Sequence, residues 1–194
     1  MSSLALDIFR RLIEQVEEVE TFAARAETQG YQSAAPILRR SAFVLAVAGI
    51  DTYFHEQAAR LLATAAKVNT AAAATVANYL GRVTSADVSG STGESHIRLS
   101  LSYKTLVGPS SIDAMLAAAT LDPSVVWRDV AFRQGTRPDR LRLQLQLLYD
   151  RRNQIAHEGD WDFVQLDFRI VAQVHLADCV RYGTELAQAM DAIL

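Results

Sequence analysis

The chain has one cysteine in 194 residues, Cys179, which excludes an intrachain disulfide and zinc-ribbon chemistry. That thiol lies in an apolar helical pattern and reads as buried. Basic excess is missing as well. Lys and Arg total 19 against 22 Asp and Glu, a net charge of −3, so any RNA contact must be local rather than a general basic coat. The longest apolar run, 42–50, is too short to cross a bilayer, and nothing at the start reads as a signal peptide. A soluble, cytoplasmic chain with no membrane partner is expected. No internal repeat, glycine-rich phosphate loop or metal-spaced carboxylate set occurs, so neither a cofactor nor a metal is expected.

Half of the residues are hydrophobic and 21% are charged, a globular balance. The length suits one domain over 1–194, enough to bury about 70% of the unfolded surface. Leu4, Ile8, Leu12, Val16, Val19 and Ala23 recur at three- and four-residue spacing and predict a helix over about 3–29, ended by Gly30. Its other face, with Glu14, Glu17, Glu18, Glu20 and Glu27, reads as solvated. A second helix is expected over about 34–68, with Pro36 near its start. It is apolar on most sides between 42 and 50 and should be central. Asp51 and His55, at i and i+4, interrupt it and are close enough to touch. From spacing alone they read as a satisfied polar pair at the edge of the core.

A short helix follows the alanine run 71–74 and ends near Gly81. The Gly- and Ser-rich stretch 81–95 then signals a loop. From His96 to Lys104 apolar and polar residues alternate strictly, which by period is an extended strand, although no partner strand is in view. The segment 81–122 is therefore read as a loop-rich insertion. Ser110 or Ser111 is expected to cap a helix to about 119, and Pro123 to open another through 132. Seven arginines against three aspartates lie between Arg128 and Arg152, either a salt-bridged solvated face or a phosphate-attracting surface. A helix should start at 136–139, with Thr136 and Asp139 in a capping arrangement around Pro138. The final helix is expected over about 162–194, on a stripe of Phe163, Leu166, Ile170, Val174, Ala177, Val180, Leu186 and Met190.

The chemistry concentrates in Arg151-Arg152-Asn153-Gln154-Ile155-Ala156-His157-Glu158-Gly159-Asp160. Arginine offers a charged planar fork that fits phosphate oxygens, and histidine exchanges protons near neutrality. Together they suit a reaction that moves a proton while charge builds on phosphorus. Arg152 and His157 are five residues apart, about 140° around a helix, so they do not share a face of one straight helix. Asn153 and His157 do. Gly159 is placed for a left-handed C-cap, with Asp160 or Asp162 starting the next helix.

Arg152-Asn153-x-Ile155-Ala156-His157, followed by Glu158-Gly159-Asp160, resembles the signature of the HEPN superfamily (higher eukaryotes and prokaryotes nucleotide-binding domains). That signature is an Arg, four to six intervening residues and a His, often with a polar residue directly after the Arg. The fuller ten-residue form is most similar to the RiboL-PSP type. The resemblance implies an all-α, up-and-down helical bundle that pairs as a homodimer and brings two copies of the motif together. It also implies a metal-independent endoribonuclease, in a toxin or phage-defence role, that leaves a 2′,3′-cyclic phosphate. In that reading Arg152 and His157 are catalytic and Asn153 orients the phosphate or the partner histidine. Arg151 helps bind the RNA backbone, and Asp51 and His55 border the site from the preceding helix. The competing expectation is a non-catalytic dimerisation or nucleotide-binding module, or one subunit of a toxin–antitoxin pair with an operon-encoded partner.

Overall fold

Apolar residues at three- and four-residue spacing bury one face of α1 (Leu4–Thr28), with Leu6, Phe9, Ile13, Val16 and Ala23 inward. Ser3 caps it by accepting the Leu6 N–H at 3.2 Å. The computed structural model describes residues 2–31 and 33–194. Helix α2 (Ala34–Ala66) runs 33 residues, about 50 Å at the usual rise. It is the central element, packing against α1, α3 (Thr70–Leu80), α8 (Pro138–Glu158), α9 (Gln173–Asp191) and the three short helices that follow α3. The expected bounds of the first two helices hold to within two residues, and α3 ends at Leu80, before Gly81, as expected. Glu20 and Glu27 are not merely solvated, however: both bind Arg39 of α2. Where α2 meets α9, a β-carbon at Gly183 would lie 3.0 Å from Ile50 Cδ1, so the two helices cross closely there and a larger residue would require the Ile50 side chain to shift.

The expected loop-rich insertion is helical. It folds as α4 (Ser85–Ser89), α5 (Gly93–Leu101) and α6 (Pro109–Ala118), and contributes Val88, Ile97, Leu101, Ile112, Met115 and Leu116 to the core. The alternating stretch expected as a strand lies largely in α5. Ile97 and Leu101 are i and i+4 on its buried face, and Arg98 reaches out to Glu56 and Glu94. A lone strand leaves its backbone unpaired, whereas a helix satisfies its own and still buries two apolar anchors. Gly108, not Ser110 or Ser111, occupies the cap of α6. Helix α7 (Pro123–Arg133) starts as expected, with Asp122 accepting the Ser124 N–H at 2.8 Å.

Helix α8 opens with Pro138 in its first turn, but Thr136 and Asp139 form no capping pair. Arg137 is the cap residue, without a side-chain cap bond, and it holds Asp139 at 2.7 Å instead. The last helix also departs from expectation. Neither Asp160 nor Asp162 begins it. A two-stranded antiparallel hairpin follows α8, pairing β1 (Trp161–Asp162) with β2 (Asp167–Phe168), and α9 begins at Gln173. Asp162 accepts the N–H groups of Val164 and Gln165, which turns the chain before a helix can start. Phe163, Leu166, Ile170, Val174 and Ala177 are thus exposed. The buried face of α9 is Leu176, Cys179, Tyr182, Leu186, Ala187 and Met190. Among the described residues, no helix is long and apolar enough to cross a membrane.

Candidate active site at the end of the motif helix

Helix α8 runs through the motif to Glu158 and stops at Gly159, whose φ of +61° is the left-handed cap that the sequence predicts. The Asp160 N–H closes the turn on the Gln154 carbonyl at 3.2 Å. Asp160 itself has φ +64° and is fully buried. A buried carboxylate needs partners, and this one has two guanidiniums. Arg151 binds both of its oxygens in a fork, with Nη2 2.9 Å from Oδ2. Arg40 of α2 donates from Nε to Oδ2 at 3.0 Å. Arg40 also donates to the Arg169 carbonyl at 3.3 Å and sits 5.0 Å over the Phe168 ring. Arg169 returns its N–H to the Asp160 carbonyl at 2.9 Å and reaches Asp162 and Glu158 with its guanidinium. Hydrogen bonds from the Gln165 and Val164 N–H groups, with the Arg169 charge, hold the Asp162 carboxyl below its usual range. This network ties α2, α8 and the hairpin together.

The ten-residue motif therefore divides. Arg151, Glu158 and Asp160 are engaged in building the helix end, so the fork of Arg151, expected to bind RNA backbone, is already occupied by Asp160. Arg152, Asn153 and His157 are not engaged in this way. Arg152 is half-buried, donates to Asn153 Oδ1 at 3.0 Å and enters no ion pair among the described residues. His157 lies exposed in the last turn, where the helix's partial negative end favours a cation. It has no hydrogen-bond partner among the described residues. Because α8 is continuous across both, Arg152 and His157 stay about 140° and about 7.5 Å apart along the helix. One copy of the chain does not bring them onto one phosphate.

Asp51 and His55 have structural partners. Asp51 Oδ1 accepts the Leu106 N–H at 2.6 Å, and His55 Nε2 lies 3.7 Å from that oxygen and 3.1 Å from the Lys104 carbonyl. Both side chains pin the 104–106 segment to α2. A β-carbon at Gly108 of the same connection would come within 4.0 Å of Tyr149 Cδ1 on α8. No described hydrogen bond joins the pair to Arg152, Asn153 or His157. Sequence reasoning missed Arg40. The Arg39-Arg40 pair at the start of α2 was visible, but nothing in its spacing points to residue 160.

The arginine-rich stretch before the motif is of mixed character. Arg128, Arg137, Arg142 and Arg151 are paired with carboxylates, while Arg133, Arg140 and Arg152 enter no ion pair among the described residues. No group of three or more His, Cys, Asp or Glu among the described residues is placed to hold a metal ion. Burial pushes the Cys179 thiol up to about 12, which makes it unsuited to act as a nucleophile near neutrality. The fold and the site thus define an all-α chain with an open Arg/His helix end. No family model, curated protein or solved structure matches it.

Proposed function

We propose that the chain is a HEPN-type endoribonuclease whose active site is composed of Arg152 and His157 from two copies. One observation carries the reading. Of the charged and polar groups in the motif, those with no need to be free are consumed by the scaffold, and the three that phosphate chemistry requires are left open. Arg151 and Asp160 neutralise one another, whereas among the described residues Arg152 and His157 have no carboxylate partner and Asn153 is engaged only by Arg152.

In the reaction, the ribose 2′-oxygen forms a bond to phosphorus and the bond from phosphorus to the 5′-oxygen breaks. His157 takes the 2′-hydroxyl proton, and the partner's His157 gives a proton to the departing 5′-oxygen. Arg152 holds the phosphate and stabilises its developing charge. Asn153 keeps the guanidinium in place through its side-chain carbonyl and leaves its NH₂ group for the phosphate. The products are a 2′,3′-cyclic phosphate and a 5′-hydroxyl, and DNA, with no 2′-OH, is resistant. A toxin or phage-defence effector is the setting in which such a nuclease acts.

The test is cleavage of a mixed tRNA and mRNA pool by wild type, Arg152→Ala and His157→Ala, each with EDTA present. Cyclic-phosphate ends from wild type and silence from both variants support the reading. Wild type that cuts nothing, or variants that cut as well as wild type, sink it in favour of a non-catalytic module.

A further inference from the structure

Directly after the motif, the chain exposes an apolar surface that a lone globular chain would bury. The hairpin tip carries Phe163 and Leu166 at 70% exposure and Val164 at 92%, and Ile170 beyond β2 is 79% exposed. Phe168 and, on α2, Ile37 are more than half exposed as well. Beside the tip, a cleft of about 910 Å³ opens between the start of α2 and the hairpin, with Pro36, Ile37, Phe168, Ile170 and Val171 on its walls. Contiguous apolar exposure of this kind marks an interaction surface.

The arginines lining the cleft are already held, Arg39 by Glu20 and Glu27 and Arg40 by Asp160, so among the described residues its open charge is confined to the exposed Asp167 carboxylate. The tip, 163–166, has no charged residue at all. A knob and a hole of matched character thus lie side by side on one chain, which is the requirement of an isologous two-fold contact. Six side chains exposed by half or more, at roughly 100–150 Å² each, approach the 800 Å² per partner of a standard interface.

We propose that the occupant is a second copy of this chain, each hairpin tip seated in the other's cleft. The choice of partner rests on the composite-site reading above, since Arg152 and His157 of one chain do not meet. The hairpin starts two residues after Gly159, so this contact carries the two motif ends toward the symmetry axis. The hairpin is then the element that completes the site.

The test is the solution mass of the full chain by sedimentation equilibrium through the micromolar range. Wild type is expected at twice its 21.3 kDa. Val164→Lys at the tip and Ile37→Glu in the cleft should each be monomeric, with unchanged helical circular dichroism. A Val68→Glu control, on another exposed apolar residue, should stay dimeric. Mixing Val164→Lys with Ile37→Glu should regain a dimer, because one tip–cleft contact then pairs opposite charges. A monomeric wild type, either single variant as dimeric as the control, or a mixture that stays monomeric overturns the inference. So does a monomeric wild type that floats with phosphatidylglycerol vesicles, which would assign the patch to a lipid surface. The two readings fail separately. A dimer broken by these variants while wild type leaves RNA uncut keeps the interface and removes the nuclease. RNA cut by a monomeric wild type removes both the interface and the two-copy composition of the site, and leaves only the ribonuclease activity.

Discussion

The two halves of α8 use the same residue types for opposite ends. In the first half, Leu141 and Leu145 are buried, and the Tyr182 hydroxyl donates to the Leu141 carbonyl at 2.7 Å. Arg142 lays its fork on Asp113 at 2.7 and 2.6 Å, while the Trp127 indole N–H donates to the same carboxylate at 2.8 Å. That arginine is occupied by structure. In the second half, Arg152 has no carboxylate and His157 has no partner at all among the described residues. An arginine is a candidate for phosphate only when its fork is unspent, which holds for Arg152 and not for Arg142 or for Arg151 beside it.

The largest effect should come from the open half. Arg152→Ala and His157→Ala are each expected to lower RNA cleavage by about 10²–10⁴-fold, the usual range for losing a positioned proton-transfer or charge-stabilising group. His157→Ala should leave the urea midpoint nearly unchanged, since an exposed group without a partner contributes within about 0.5 kcal/mol, and Arg152→Ala, which gives up one hydrogen bond to Asn153, should cost only about 1 kcal/mol. A large loss of stability in either variant would erase the contrast between the halves.

Asp160→Ala tests the joint between the motif and the scaffold. It leaves Arg151 and Arg40 facing each other without their shared carboxylate, and should cost about 3–5 kcal/mol in a urea melt. A loss well under that range would mean that water reaches the two guanidiniums. Gly159→Ala should cost about 1 kcal/mol, because a β-carbon is disfavoured at φ +61° even though open space surrounds it.

The smallest effect belongs to the structured half. Asp113→Asn should cost about 1 kcal/mol or less at neutral pH, because both partners are roughly a third exposed and solvent screens them. Burial works against the Asp113 charge, but the hydrogen bonds from Arg142 and Trp127 and the Arg142 charge outweigh it and hold the carboxyl below its ordinary range. A lowered folded value gives stability that is present above the unfolded value. It is lost as pH falls through the folded one. The gap between wild type and Asp113→Asn should therefore close in acid, below about pH 4. A gap that stays constant into acid would show that the ion pair is not its source.

Much of this arrangement was legible in the residues. The spans of α1 and α2 follow from three- and four-residue apolar spacing, the end of α3 from Gly81 after its alanine run, and the start of α7 from Pro123. The stop of α8 was readable at Gly159, and so was the separation of Arg152 from His157. All of these rest on interactions between residues a few positions apart, which a sequence displays directly. The misread segments share a cause. The 96–104 alternation and the Phe163–Val174 spacing are short patterns that fit two backbones, and the choice was made by neighbours. For α5 the neighbours are α2 and α4. For the hairpin they are Arg40 and Asp160.

The sequence by itself determined an all-α chain and a polar, chemistry-bearing end to its motif helix. Only the tertiary structure decided which arginine of the Arg151-Arg152 pair is spent and which is free. The physical reason is separation along the chain. Arg40 and Asp160 are 120 residues apart, and a buried carboxylate recruits whatever cation the packed helices place beside it. No local periodicity encodes that choice.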